Sequence, residues 1–254
     1  MTYTISPPTL SDQQILAFKQ DGYVVIRGAL SLEDMEIIER WTNEVETLPE
    51  KPGKQWVFHE KSRIDGSDLV NRIEFISPYH NGFAELTRTL KKPAAQIFGE
   101  DVNLFKEKIN FKMQGGNGFE PHQDAQAGWD EYASNFINVM ICIDEATIEN
   151  GCLELAPQQH LRGLLRGMEP LTEDDTKNMK FTPYPTKPGD IALFDAYTPH
   201  RSSPNHTNTI RRMYFATFNK ASEGDHLFQY YANKRKNYPP DIERDPKREY
   251  VYKV

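Results

Sequence analysis

The chain has 254 residues, 38% of them hydrophobic and 11% aromatic, enough to bury a substantial core in one large or two small domains. A formal net charge of -7 excludes the broad basic face of a generic nucleic-acid binder and leaves room only for a locally basic pocket. No apolar run approaches the roughly 18 residues of a membrane span, and the opening MTYTISPPTLSDQQ carries no basic or apolar targeting segment, so a cytoplasmic protein with no membrane partner is expected.

In chain order, Ser11 with Gln14 forms a capping signal for a helix that Gly22 ends, and YVVI follows as a short strand. A second helix is marked by Ser31 and Asp34 and by Leu32, Met35, Ile38, Trp41, Val45 and Leu48, which recur every three or four residues. KQWVFHE and NRIEFIS predict two strands, and a third helix runs roughly from Gly82 to Phe98, with Pro93 expected to interrupt it and Gly99 to stop it. LFKEKINFKM alternates Phe105, Ile109, Phe111 and Met113 with Lys106, Lys108, Asn110 and Lys112, as a half-buried strand does. FINVMICID is the continuous apolar run of a buried strand, and CLEL, DIALFD and RMYFATF add more. Many short strands without a βαβ rhythm predict a mainly β sandwich or barrel with N-terminal helices. Cys142 and Cys152 lack the spacing of a zinc ribbon or a disulfide framework.

The stretch FEPHQDAQAGWD sets His122 and Asp124 two residues apart, so both side chains of an extended segment point to one side. A third ligand is available in His200, on a loop edge between the strands DIALFD and RMYFATF. Two histidines and one carboxylate without cysteine match the facial arrangement that leaves open positions on Fe(II). An organic acid bound there needs a cation for its far end. TIRRMY offers Arg211 and Arg212, of which strand alternation turns only one inward.

PHQD, NGCLELAPQQH, PGD, PHRSSPN and IRRMYFATFN together resemble the phytanoyl-CoA dioxygenase family of Fe(II)- and 2-oxoglutarate-dependent oxygenases. The resemblance implies a double-stranded β-helix, or jelly roll, forming a single domain over 1–254. It further implies that His122, Asp124 and His200 bind iron, that Arg211 pairs with the distal carboxylate of 2-oxoglutarate and that Ser202 hydrogen-bonds it. Asn110 and Lys108, in KINFK, are implied more weakly as further co-substrate contacts. No side chain beyond the metal ligands is expected to act catalytically. His160 departs from the family's usual Pro-Gly-Ser-His setting and is expected to be structural. Because Asp124 fills the position where halogenating relatives have Ala or Gly, hydroxylation using O2 is implied.

Trp129, Tyr132, Trp56, Phe58, Asn71 and Arg72 are candidate contacts for a small-molecule substrate: aromatic rings suit an ammonium group, and Arg or Asn a phosphonate. QAGWDEYA, NRIE and the tail from Tyr230 resemble the bacterial branch that hydroxylates 2-aminoethylphosphonate and its N-methylated relatives. This implies a partner enzyme that cleaves the hydroxylated product. Hydroxylation of an amino acid, betaine or secondary metabolite is the alternative within the class. A jelly-roll metal protein or binding module without oxygenase activity is the alternative outside it.

Overall fold

The computed structural model describes residues 4–250, so the ends of the expected 1–254 domain, including the first residues of the opening segment and the last of the tail, lie outside the described residues. Helix α1 (Asp12–Asp21) starts with a complete capping box: Ser11 Oγ accepts from the Gln14 N–H, and the Gln14 side chain takes the Ser11 N–H at 2.8 Å. Gly22 ends it at a φ of 83°, and β1 (Tyr23–Ile26) follows. A Cβ at Gly22 would lie 2.4 Å from His160 Nδ1, so packing as well as backbone angle demands glycine. His160 is thus a packing partner of the helix–strand corner.

Helix α2 (Leu32–Glu46) uses Ser31 and Asp34 in the same way. Its middle turns bury Met35, Ile37, Ile38 and Val45, whereas Leu32 and Leu48, at the two ends of the periodic pattern, are exposed. Strands β2 (Trp56–Lys61) and β3 (Asp68–Glu74) form a hairpin. Helix α3 (Asn81–Phe98) is capped by His80 and Gly99 and passes through Pro93 without a break. The missing hydrogen bond, about 3 kcal/mol in an unsupported helix, is outweighed by burial of Phe83, Leu86 and Leu90, roughly 1.5–3 kcal/mol each.

The remaining elements are β4 (Val102–Lys112), β5 (Phe119–His122), β6 (Phe136–Cys142), β7 (Leu153–Leu155), the one-turn α4 (Glu173–Thr176), β8 (Thr182–Tyr184), β9 (Ile191–Asp195), β10 (His200–Ser202), β11 (Arg211–Lys220) and α5 (Leu227–Asn237). They form two antiparallel sheets, ordered β1-β9-β6-β11-β4-β3-β2 and β5-β10-β7-β8, in a jelly roll. Helices α1 to α3 cover the outer face of the large sheet, where Ile38, Phe83 and Leu90 meet Ile73, Ile109, Val139 and Phe218. Between the sheets, Met140, Phe194, Met213 and Phe215 pack on Leu153 and Leu155.

The alternation in β4 holds with one interruption. Thr217 of β11 pairs with Lys106 and Phe218 with Leu104, which leaves Phe105 as a bulge residue. Phe105 therefore turns to the inner face beside Lys106, packing on Trp129, Phe136 and Tyr230 instead of joining Ile109 and Phe111. The polar face of β4 is buried as well: Lys106, Asn110 and Lys112 point into the space between the sheets. Both cysteines are free and buried, and among the described residues no helix is long and apolar enough to cross a membrane.

Candidate active site

His122, the last residue of β5, and His200, the first of β10, pair directly across the ladder of the small sheet, and their rings lie 4.2 Å apart. His122 Nδ1 faces the Glu120 carbonyl at 2.6 Å, and His200 Nδ1 the Thr198 carbonyl at 3.0 Å. A carbonyl can only accept, so each Nδ1 carries the proton and each Nε2 presents its lone pair. Asp124 opens a 3-10 turn just after β5, with Oδ1 3.9 Å from His122 Nε2 and Oδ2 3.8 Å from His200 Nε2. One ligand atom from each of the three lies within 4.8 Å of the others. Gln123, between the first two, is wholly buried. Its Nε2 donates to the Gly163 and Tyr197 carbonyls and its Oε1 accepts from Leu165 N–H, which pins the turn against two neighbouring loops.

Burial pushes His122 down to about 3, with His200 adding to the effect, and burial also lowers His200; both rings are neutral at pH 7, as metal ligation requires. Burial alone would raise Asp124, but His200 and Lys108 outweigh it and hold the carboxyl below its usual range. With the imidazoles neutral near pH 7, Lys108 and Lys106 supply the positive charge that acts on the carboxylate. Asn138 Nδ2 donates to Asp124 Oδ2 at 3.0 Å and is itself oriented by Thr217 Oγ1 at 2.6 Å, which fixes the carboxylate plane. A two-histidine, one-carboxylate donor set with locked tautomers and no thiolate fits a non-haem Fe(II) ion.

Alternation resolves the arginine pair. Arg212 turns outward to Asp144, at 2.7 and 2.9 Å, and to Asn43. Arg211 turns inward, is 4% exposed, leaves Nε without a partner and has no carboxylate beside it among the described residues. Burial pulls its guanidinium down to about 10. Its cross-strand partner is Lys112, whose Nζ donates to Ser202 Oγ at 2.8 Å and to the Ser203 carbonyl at 2.6 Å. Burial, then Arg211, lower Lys112 to about 6. Asn110, on the same face, has an unsatisfied buried Oδ1. Arg211, Lys112 and Ser202 thus form a buried cationic recess suited to a carboxylate. Lys112 belongs to the polar face of LFKEKINFKM, but its partnership with Arg211 depends on strand register and is invisible in the sequence.

Two cavities of about 500 and 660 Å³ meet at Lys108, Asp124, Met168 and Tyr238. Trp129 and Tyr132 wall the first, while Phe58, Asn71, Arg72 and His122 wall the second. Trp56 does not reach either: it is buried against Tyr231 and Phe58, because its strand position places it behind the Arg72–Glu74 pair. Arg72 binds Glu74 at 2.8 Å. Sequence reasoning missed Lys106, Tyr230, Lys234 and Tyr238. The last three come from α5 and the residue after it, whose weakly patterned sequence gave no sign of facing the site.

The family model described as phytanoyl-CoA dioxygenase matches residues 18–213. Methylphosphonate hydroxylase of Gimesia maris is 36% identical over 234 residues, covering 91% of this chain and 88% of that protein. The 2-aminoethylphosphonate dioxygenase of the uncultured bacterium HF130_AEPn_1 is 34% identical over 245 residues, covering 94% and 93%. Among solved structures, EctD from S. alaskensis with 2-oxoglutarate and 5-hydroxyectoine superposes with a TM-score of 0.73 at 23% identity, covering 87% of this chain and 80% of that one. The carbocyclase SnoK from nogalamycin biosynthesis gives 0.69 at 18% identity, covering 85% and 88%. With the family model spanning most of the chain, and with this site at its centre, the protein belongs to the phytanoyl-CoA dioxygenase family and is an Fe(II)- and 2-oxoglutarate-dependent dioxygenase.

Proposed function

We propose that the enzyme hydroxylates the carbon next to phosphorus in a small organophosphonate, such as 2-aminoethylphosphonate or an N-methylated analogue. In this reading His122, Asp124 and His200 hold the iron. Arg211 pairs with the distal carboxylate of 2-oxoglutarate, while Ser202 and Lys112 complete the recess and Asn110 and Lys108 lie beside it. Bound iron with O2 and 2-oxoglutarate supplies the oxidising power that attacks an unactivated C–H bond. The chain's own part is to fix three ligands through the cross-strand histidine pair and Asn138, to neutralise the co-acid, and to enclose the substrate.

The observation that carries the substrate class is the concentration of cations where the cavities reach Asp124: Lys106, Lys108, Lys234 and Arg72 all line them. The names of the two relatives agree with it. A second reading is favoured by where those cations sit. Lys106 Nζ lies 5.3 Å from the Trp129 ring and Lys234 Nζ 5.9 Å from the Tyr230 ring, so protein cations already occupy aromatic faces that an ammonium would use. That favours a phosphonate without an amine, such as methylphosphonate.

The test is succinate release, with product detection by phosphorus NMR, on 2-aminoethylphosphonate, its N-methylated analogues and methylphosphonate beside a panel of amino acids and betaines. Turnover of a phosphonate to its 1-hydroxy product is expected. Phosphonates that give only background succinate, while an amino acid or betaine is hydroxylated, would sink the reading. The product chemistry calls for a partner enzyme that cleaves the activated C–P bond. The free buried thiols of Cys142 and Cys152 are in keeping with a reducing cytoplasm.

A further inference from the structure

Along the two adjoining cavities, cationic side chains outnumber the buried carboxylates beside them. Arg72 and Lys106 are buried and Lys108 and Lys234 half-buried, against the buried Glu74 and Asp124. Glu74 is wholly buried and fully used: both its oxygens take Lys234 Nζ, at 2.8 and 2.7 Å, and Oε1 faces Arg72 Nε at 2.8 Å. Lys106 is 5% exposed and lines the cavity, yet it has no hydrogen-bond or ion-pair partner among the described residues and rests only between the Trp129 and Tyr230 rings, at 5.3 and 5.5 Å. Lys108, at the junction of the cavities, lies over the Phe215 ring at 5.2 Å and has no hydrogen-bond or ion-pair partner among the described residues.

A buried charge without a close counter-ion is costly even after the surroundings relax. The bulge at Phe105 turns Lys106 and a bulky ring to the same side and so creates this arrangement. Such strain in a cavity wall has a physical use when a ligand brings the missing negative charge. Two cations without an ion-pair partner, Lys106 and Lys108, call for a dianion, and the four cations come from three elements, β3, β4 and α5, with Lys108 on the wall common to both cavities. A tetrahedral oxyanion with three charged oxygens suits that geometry better than a planar carboxylate with one charge. Burial, then Lys106, lower Lys108 to about 8, as expected where the counter-charge is external.

We infer that Lys106, Lys108, Lys234 and Arg72 form a subsite for a dianionic tetrahedral oxyanion, the phosphonate group of the substrate, in which Lys106 is a member with no hydrogen bond or ion pair of its own among the described residues. This rests on the organophosphonate reading above. Lys234 belongs to α5, beyond the residues 18–213 that the family model matches, so part of the selectivity comes from outside that region.

The experiment is anaerobic calorimetric titration of the iron- and 2-oxoglutarate-loaded enzyme with methylphosphonate, inorganic phosphate and acetate. Wild type is expected to bind the first two at least tenfold more tightly than acetate. Lys106→Met should lose at least tenfold in methylphosphonate affinity while keeping 2-oxoglutarate affinity. Its cofactor-free form should melt no lower than wild type, because an unpaired buried charge has gone. Lys234→Met should show the same affinity loss with lower stability, since it removes the ammonium held by both oxygens of the buried Glu74. Equal binding of acetate and methylphosphonate, or unchanged methylphosphonate affinity in Lys106→Met, would overturn the subsite. Tight, Lys106-dependent phosphate binding without turnover of any phosphonate would keep the subsite and defeat only the reaction assigned to it.

Discussion

At the scale of single residues, Arg211 and Arg212 have the same side chain and opposite environments. Arg211→Ala should weaken 2-oxoglutarate binding by about 30-fold or more, from the roughly 2–5 kcal/mol lost when one member of a buried charge pair is truncated. Arg212→Ala removes the surface contacts to Asp144 and Asn43 and should leave that affinity near wild type. Anaerobic titration of both variants checks the contrast, and equal losses would show that parity does not set the role. The inward turn of Arg211 was legible early, because strand alternation allows only one of the pair to face inward and the resemblance to the family selects Arg211. Lys112 was not. Its depressed pKa and its contact with Ser202 arise only when β4 and β11 are placed in register.

At the scale of elements, the sequence was most readable where structure is local. The capping boxes of α1 and α2 and the glycine stops of α1 and α3 depend on residues three or four apart, and they stand as expected. The four- and three-residue strands β5 and β10, which carry two of the proposed ligands, are too short for a periodic pattern. The bulge in β4 is set by a partner strand over a hundred residues away, and a strict alternation therefore assigned Phe105 to the wrong face. Phe105 is fully buried, with ring centroids 4.5 Å from both Phe136 and Tyr230. Phe105→Ala should cost about 3–5 kcal/mol in urea denaturation. A loss below about 1 kcal/mol would mean that the bulge face is not well packed. Trp56 shows the converse limit: an aromatic residue in a half-polar strand gives no sign of whether it faces ligand or core.

At the scale of the molecule, buried lysines make stability depend on pH. Lys112 is lowered to about 6 and Lys108 to about 8 from an ordinary 10.5, in both cases by burial first. Between these values and 10.5 the unfolded chain binds more protons than the folded one, so the stability of the cofactor-free enzyme should rise with pH across this window. Below pH 6 the penalty from Lys112 is complete; above 10.5 it disappears. Denaturant melts at pH 6, 7.5 and 9 should show the rise, and Lys112→Met should flatten it. A slope unchanged in the variant would place the effect elsewhere. For the same reason, 2-oxoglutarate binding near neutral pH should take up protons as its carboxylate favours charged Lys112, which titrations in buffers of differing ionisation enthalpy can read.

The direct pairing of His122 with His200 has a further consequence. β5 is four residues long and forms one edge of the small sheet, where β10 is the strand it pairs with. An ion held by His122, Asp124 and His200 would join that edge strand, the turn after it and the neighbouring strand through one point. The metal would then act as a clasp on a short edge of the jelly roll. Amide hydrogen exchange across 119–127 should slow markedly on adding Fe(II), while the interior strand β6, buried along its whole length, should change little. Equal protection of both segments, with and without metal, would show that the edge is closed by the protein alone.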